Sequence, residues 1–147
     1  MYGQSLWREG QIELDLQLAP GHLIRRAQQR HQALWAPIVG GELTSVQFAV
    51  LTLVRQEPDL DQRTLARRVS LDTSTLADVC KRLEHRGLLA RQRDAEDGRR
   101  YVLRATAEGS KLVRQLTPAV VRVGDALLEG FSADERETLL VLLKRLV

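Results

Sequence analysis

The sequence is poor in several residue types on which other classes of protein depend. It has one cysteine, Cys80, among 147 residues, so it can form no intramolecular disulfide and offers no cysteine pair with metal-ligand spacing. Aromatic residues make up only 4% of the chain, and its apolar content is mainly leucine, valine and alanine, which favours helices. No apolar run approaches the roughly 20 residues of a membrane span, and no secretion signal is recognisable. We therefore expect a cytoplasmic protein that uses no cofactor.

The patterns of a catalytic site are also missing. The chain has no Gly-rich phosphate loop, no serine, histidine and aspartate in a triad order, and no paired carboxylates in an apolar setting. Its histidines, His22, His31 and His85, are too scattered to indicate a metal site. Cys80 falls on the apolar side of a predicted helix, which predicts a buried, unreactive thiol rather than a redox sensor. We predict that the chain is not an enzyme.

Charge is distributed unevenly along the chain. The formal net charge is only +3, but the isoelectric point is about 9.5. The basic excess lies in residues 81–104, where eight lysines and arginines accompany four acidic residues. A polyanion such as a nucleic acid is therefore a candidate partner for this segment.

Apolar spacing and capping residues predict six helices. The first runs from about residue 20 to residue 40, and Pro118 predicts a kink or restart in the fifth. The last helix contains LLVLL and is apolar on more than one side, so we expect it to pack, with the first and fifth, against a second copy of the chain. The residues expected to precede or cap helices two to six are, in order, Thr44, Asp61, Asp72, Thr106 and Ser132.

Between the fourth and fifth helices the spacing changes to that of a β-hairpin. The runs LLARQRD and RRYVLRAT are separated by the turn AEDG. The third and fourth helices resemble a helix-turn-helix, because short polar side chains at the start of the second helix allow close approach to a DNA major groove. A hairpin directly after them completes a winged helix, whose arginines would enter the minor groove. Alternatively, Arg99 and Arg100 merely pair with carboxylates of the turn, or one arginine braces the turn while the other reaches DNA.

The run DAEDGRRYVLRATAEG resembles the wing signature of the MarR family of winged-helix repressors, and TLARRVSLDTSTLADVCKRLEHRGLLAR is similar to its recognition-helix block. The resemblance spans residues 21–147. It implies a mainly α fold with a small β-hairpin wing (α+β), with dimerisation helices in 20–40 and 107–147 and a winged helix-turn-helix in 44–106. It also implies a homodimer bound to double-stranded DNA at an inverted repeat with half-sites about one helical turn apart. The matching wing residues are Asp94, Asp97, Arg99, Leu103, Thr106 and Gly109.

The resemblance also assigns the residues expected to contact DNA. Asp78 stands where many members carry an arginine, and its carboxylate could accept from a cytosine amino group. Glu96 and Ala105 are further departures from the family's pattern. Arg67 is an additional phosphate candidate. The expected DNA-contacting residues are Arg63, Thr73, Ser74, Thr75, Asp78, Lys81, Arg82, Arg99 and Arg100.

The segment PGHLIRRAQQRH looks like the MarR subgroup associated with degradation of aromatic compounds, in which a small aromatic carboxylate weakens DNA binding. An arginine fork can hold a carboxylate with two hydrogen bonds, which favours Arg25 or Arg26 as the anchor. The expected ligand-binding residues are His22, Arg25, Arg26, His31 and Trp35. The alternative is that these arginines face solvent or pair between subunits, and that His22 and Trp35 belong to the core or pack against the N-terminus. Trp7, in the N-terminal arm, could close a pocket or cross to the partner subunit, but the sequence does not decide its role.

Two functions from different classes therefore remain. The first is a ligand-responsive transcriptional regulator, acting as a repressor. The second is an architectural DNA-binding or protein-interaction module without sequence preference. A regulator should prefer its site over random DNA by about 10³ or more, whereas an architectural protein would show mainly salt-dependent affinity.

Overall fold

The computed structural model describes residues 15–147, so Trp7 lies outside the described residues. The fold is mainly helical with one small sheet, which confirms the predicted fold class. After a 3-10 turn at Leu16–Leu18, the elements in chain order are α1 (Pro20–Val39), α2 (Ser45–Gln56), β1 (Leu60–Asp61), α3 (Gln62–Arg68), α4 (Thr73–His85), β2 (Leu89–Arg93), β3 (Tyr101–Ala105), α5 (Ala107–Leu127) and α6 (Ala133–Leu146).

The capping residues define where the helices begin, as predicted. In each of α2 to α6 the side chain of the N-cap residue accepts a hydrogen bond from the backbone amide three positions later. This bond satisfies one of the amides that a helix start leaves unpaired. The first helix begins at Pro20 and ends before Gly40, whose φ of 93° is open to glycine at little cost.

The sheet has three strands, one more than the hairpin prediction. Its order is β1-β3-β2, and both pairs are antiparallel. The hairpin of β2 and β3 is confirmed, while β1 adds Leu60 opposite Leu103 and Asp61 opposite Val102. Two residues are too few to show alternation in a sequence. Because β1 pairs with β3 and α3 begins directly after β1, the wing is joined to the start of α3.

The prediction of a restart at Pro118 is wrong, because α5 runs without interruption from Ala107 to Leu127. Proline removes one backbone donor, so the carbonyl of Arg114 loses its partner in the helix. Both Arg114 and Pro118 are exposed, so water can satisfy that carbonyl. An uninterrupted α5 spans the distance from the wing to the C-terminal helix.

Two apolar clusters hold the elements together. The larger one contains residues of α2, α3, α4, the sheet and the start of α5. The smaller one joins α1 to α5 through Trp35, Val39 and Val123. Phe48 and Leu116 pack against both clusters, so the winged helix is continuous with the α1–α5 pair. Across residues 15–147, no helix has both the length and the apolar character required to cross a membrane.

Candidate functional site

The fourth helix presents a polar face to solvent. Leu76, Cys80 and Leu83 are completely buried on its inner side. The spacing of these residues at three and four positions is what turns the opposite side outward. The outward face carries all the residues of α4 that the sequence analysis assigned to DNA contact, namely Thr73, Ser74, Thr75, Asp78, Lys81 and Arg82, each of them exposed.

Asp72 organises the first turn of α4. Its carboxylate accepts from the Ser74 and Thr75 hydroxyls, both at 2.6 Å, and from the Thr75 amide at 2.8 Å. These hydrogen bonds, the Ser74 hydroxyl first among them, hold the pKa of Asp72 far below its ordinary value. Because both hydroxyl protons are donated to Asp72, the Ser74 and Thr75 oxygens are left with lone pairs that can accept a further hydrogen bond. The Thr73 hydroxyl makes no hydrogen bond to any residue from 15 to 147.

Two arginines of the wing are tied to acidic residues around β1. The Arg100 guanidinium donates to Asp61 at 2.6 Å and lies 4.0 Å from Asp94. Arg104 donates twice to the carboxylate of Asp59, at 2.5 and 2.6 Å. The bonds from Arg104 lower the pKa of Asp59, and the Thr64 amide is the leading cause of a lowered pKa at Asp61. Since Asp61 also caps α3, Arg100 joins the wing to the start of the helix-turn-helix.

Two more arginines lie on β2 around the ring of Tyr101. Arg91 donates to the side-chain oxygen of Gln62 at 2.6 Å, and its Nε lies 3.5 Å from Oε1 of Glu84. Arg93 donates to the carbonyl of Gly98 at 2.6 Å, within the hairpin itself. The two guanidinium carbons lie 5.8 Å and 5.3 Å from the Tyr101 ring centre, within range of a cation–π attraction.

Arg99 differs from the other arginines of the wing. Its backbone amide donates to Asp97 at 3.0 Å, but its guanidinium has no hydrogen bond or ion pair with any part of the chain from residue 15 onwards. Of the two arginines left open in the sequence analysis, Arg100 braces the wing and Arg99 is presented to solvent. Arg63 on α3 is likewise exposed without such a contact among the described residues. DNA contact by either residue stays a prediction.

Cys80 lies in the core on the inner side of α4, one helical turn before Glu84. Its side chain is completely buried, and burial, followed by the nearby Glu84, raises the pKa of the thiol to about 11. A protonated, inaccessible thiol is a poor nucleophile. The prediction of a buried thiol is confirmed.

On α1, Trp35 belongs to the core. Its indole nitrogen donates to the carbonyl of Leu43 at 2.8 Å, and its ring packs edge-on against Phe48 with centroids 5.9 Å apart. The His31 ring lies 5.7 Å from that of Trp35. Nδ1 of His31 is buried, and no group among residues 15–147 pairs with it. The core alternative for Trp35 is therefore what the structure shows.

The other residues expected to bind a ligand lie nearer the start of α1. His22 is half-buried, and Arg25 and Arg26 are exposed, without hydrogen bonds or ion pairs to residues 15–147. Nine helical positions separate His22 from His31, which corresponds to about 13.5 Å along the axis and about half a turn around it. One chain therefore does not bring His22 and the His31–Trp35 pair together on a common face.

No group of three or more histidine, cysteine, aspartate or glutamate side chains in residues 15–147 is arranged to hold a metal ion. Sequence reasoning missed four partners of the wing arginines, namely Asp59, Asp61, Gln62 and Glu84. A partial signal was present, because alternation in β2 places Arg91 and Arg93 on the same face as the buried Leu89.

Comparisons with known proteins are consistent with this geometry. A family model described as MarR family matches residues 43–101. The transcriptional regulator HosA of Escherichia coli O127:H6 is 32% identical over 126 residues, which cover 86% of this chain and 93% of HosA. The PcaV transcriptional regulator from Streptomyces coelicolor, in complex with its natural ligand, is 46% identical with a TM-score of 0.84, covering 91% of this chain and 95% of PcaV.

In a third similar protein, a small molecule regulates DNA binding. This protein is BpsR from Bordetella bronchiseptica, studied for the regulation of its DNA binding by 6-hydroxynicotinic acid. BpsR is 29% identical with a TM-score of 0.85, and the match covers 91% of this chain and 96% of BpsR.

Proposed function

The chain belongs to the MarR family of DNA-binding transcriptional regulators, and from this premise we propose that it is a homodimeric repressor that leaves its operator when it binds a small aromatic carboxylate. The observation that carries the proposal is the pairing of an exposed polar face on α4 with a wing that presents Arg99 to solvent. As a transcriptional regulator the chain is not an enzyme.

The exposed apolar surface supports a homodimer. No residue of α6 is buried, although its sequence includes LLVLL. Leu23 and Ile24 of α1 and Phe131 before α6 are also between 45% and 51% exposed. Apolar surface of this extent is usually covered by a partner, and a second copy is the commonest one. The exposed apolar residues of α6 are Leu140, Val141, Leu142, Leu143 and Leu146.

The operator follows from the dimer. Two copies of α4 related by a two-fold axis would enter successive major grooves, so the DNA site would be an inverted repeat with half-sites about one turn, roughly 34 Å, apart. Arg99 at the tip of each wing would reach the adjacent minor groove, where the negative potential attracts arginine. Arg63 and Arg67, both exposed on α3, are candidates for phosphate contact.

The comparisons support an aromatic acid as effector. The ligand of BpsR, 6-hydroxynicotinic acid, is a planar ring bearing a carboxylate. Arg25 and Arg26 can each offer a two-pronged donor to such a group, and His22 lies one helical turn away. Farther along α1, His31 is half-buried with its ring 5.7 Å from that of the buried Trp35. We propose Arg25 or Arg26 as the anchor of the carboxylate.

The proposal is tested by selecting DNA from a random pool with the purified protein and repeating the binding with benzoate, hydroxybenzoates and hydroxycinnamates. We expect enrichment of one inverted repeat that an acid of this class releases. If a motif is enriched but no acid releases the protein from it, the regulator is supported and the proposed ligand site on α1 is wrong. Recovery of no motif would favour the architectural module instead.

Substitutions on α1 test the anchor separately. Arg25→Gln and Arg26→Gln should leave operator affinity unchanged in the absence of the acid, and one of them should abolish its effect. Arg55→Gln is the matched control, because Arg55 is an exposed arginine on α2 outside the proposed ligand site. If both α1 variants respond to the acid like the control, the anchor is wrong.

A further inference from the structure

We propose that Arg91 is a positioning residue, which holds the wing against both helices of the helix-turn-helix so that Arg99 meets DNA at a fixed distance from α4. The inference rests on the proposed operator binding. It gives Arg91 a role different from that of Arg93, the other arginine of β2, although both side chains carry the same charge.

Arg91 lies where three elements meet. Its Nη2 donates to Gln62 on the first turn of α3 at 2.6 Å, and its Nε lies 3.5 Å from Glu84 on the last turn of α4. Its guanidinium carbon is 5.8 Å from the ring centre of Tyr101 on β3. One side chain thus contacts α3, α4 and β3.

The environment of Glu84 makes this contact important. Its Oε1 is buried and receives no hydrogen bond from the described residues, which leaves Arg91 as its ion-pair partner there. A buried carboxylate oxygen is costly without a nearby cation. Removing Arg91 would leave this oxygen without a nearby cation, so we expect Glu84, whose side chain is 32% exposed, to turn towards water and loosen the contact between α4 and β2.

Arg93 provides a matched control two residues along the same strand. It lies on the same face of β2 and closer to Tyr101, at 5.3 Å. Its hydrogen bond, however, goes to Gly98 within the hairpin. Substituting Arg93 removes the same charge from the same face without cutting a link to either helix.

The experiment measures operator affinity for Arg91→Met, Arg93→Met and Arg99→Ala, and for each methionine variant combined with Arg99→Ala. We expect Arg99→Ala to weaken binding about tenfold in the wild-type and Arg93→Met backgrounds, but less than about threefold in Arg91→Met, because an unheld wing no longer places Arg99 in the groove. Hydroxyl-radical footprints should lose minor-groove protection in Arg91→Met, whereas protection of guanine N7 from methylation, which reports the major-groove contacts of α4, should be kept. A merely structural role would weaken all contacts equally.

If Arg99→Ala costs the same in all three backgrounds, Arg91 does not position the wing and the inference is overturned. Should Arg91→Met fail to fold, Arg91→Lys keeps the charge but replaces the planar guanidinium fork by a single ammonium, so it should hold the wing less firmly and show a reduced cost of Arg99→Ala. An undiminished cost in Arg91→Lys would equally overturn the inference. Wild-type protein that binds all DNA alike would overturn the proposed function instead, and the same set of variants would then be compared on nonspecific DNA.

Discussion

Replacing Gly109 by alanine tests how closely the start of α5 docks on the chain that connects α4 to the wing. Gly109 is buried in the first turn of α5. A Cβ placed on it would lie 2.0 Å from the carbonyl oxygen of Leu88 and 3.0 Å from its carbon. That carbonyl accepts the Thr106 amide at 3.1 Å, and the Thr106 hydroxyl donates to Gly87 at 2.7 Å. The Gly109 amide in turn donates to the Thr106 hydroxyl at 3.0 Å. The Leu88 carbonyl and the backbone of Gly109, which would have to move apart, are therefore both held by hydrogen bonds.

The size of the effect follows from these distances. The carbonyl oxygen would have to retreat by about 1.4 Å to reach the 3.4 Å at which ordinary contact begins. Overpacking that displaces backbone costs about 3 kcal/mol at the upper end of its usual range. The higher helix propensity of alanine offsets at most about 1 kcal/mol of this cost. We expect Gly109→Ala to lower the free energy of unfolding by about 2 to 3 kcal/mol, or the melting temperature by roughly 4 to 12 °C.

The assay is denaturant and thermal unfolding, followed by circular dichroism at a fixed protein concentration. Gly124→Ala is the control on the same helix, because a Cβ there meets nothing within 4 Å; it should stabilise the protein by about 0.5 to 1 kcal/mol. A Gly109→Ala variant within 1 kcal/mol of the Gly124→Ala variant would refute the close contact with Leu88.

Three further predictions concern the wing, α4 and the core. Arg99→Ala should weaken operator binding by about 1–3 kcal/mol with the dimer intact, and unchanged affinity in an anisotropy titration would remove the wing from the proposed function. Asp72→Ala should lower the free energy of unfolding by about 0.5–2 kcal/mol through loss of the N-cap, with Asp72→Ser recovering most of it in the same denaturation curves. The Cys80 thiol should react with a disulfide reagent at pH 8 only as fast as the protein unfolds, and immediate labelling would contradict its burial. Because the pKa of this thiol is raised from 9.0 to about 11, its contribution to stability is complete below about pH 9 and is lost as the pH rises through 11, a slope that Cys80→Ser should lack.

The helices could be predicted from the sequence because their signals are local. Thr44, Asp72 and Ser132 each act on an amide three residues away, so a short window of sequence contains the whole interaction. The strand β1 could not be predicted, since Leu60 is extended only by pairing with Leu103, far along the chain.

The roles of the wing arginines were beyond local reasoning for the same reason. Whether Arg100 or Arg99 braces the wing depends on Asp61, which is 39 positions from Arg100. The position of Asp61 is known only once β1 is placed. The ligand residues of α1 show the opposite situation, because His22 and His31 are near in sequence but lie on different sides of one helix; their binding of a ligand stays a prediction.

The C-terminal helix has a consequence for how assembly could be observed. Within the described chain, α6 is held by its capping box and by Arg136, which donates to Asp125 at 3.0 Å and to the carbonyl of Leu128 at 3.1 Å. A helix of 14 residues without a packed face is marginal in water. In the proposed homodimer a second copy would cover α6, so the helix–coil equilibrium of α6 would depend on protein concentration. The far-ultraviolet signal lost on dilution would then report the dissociation constant of that dimer without any label.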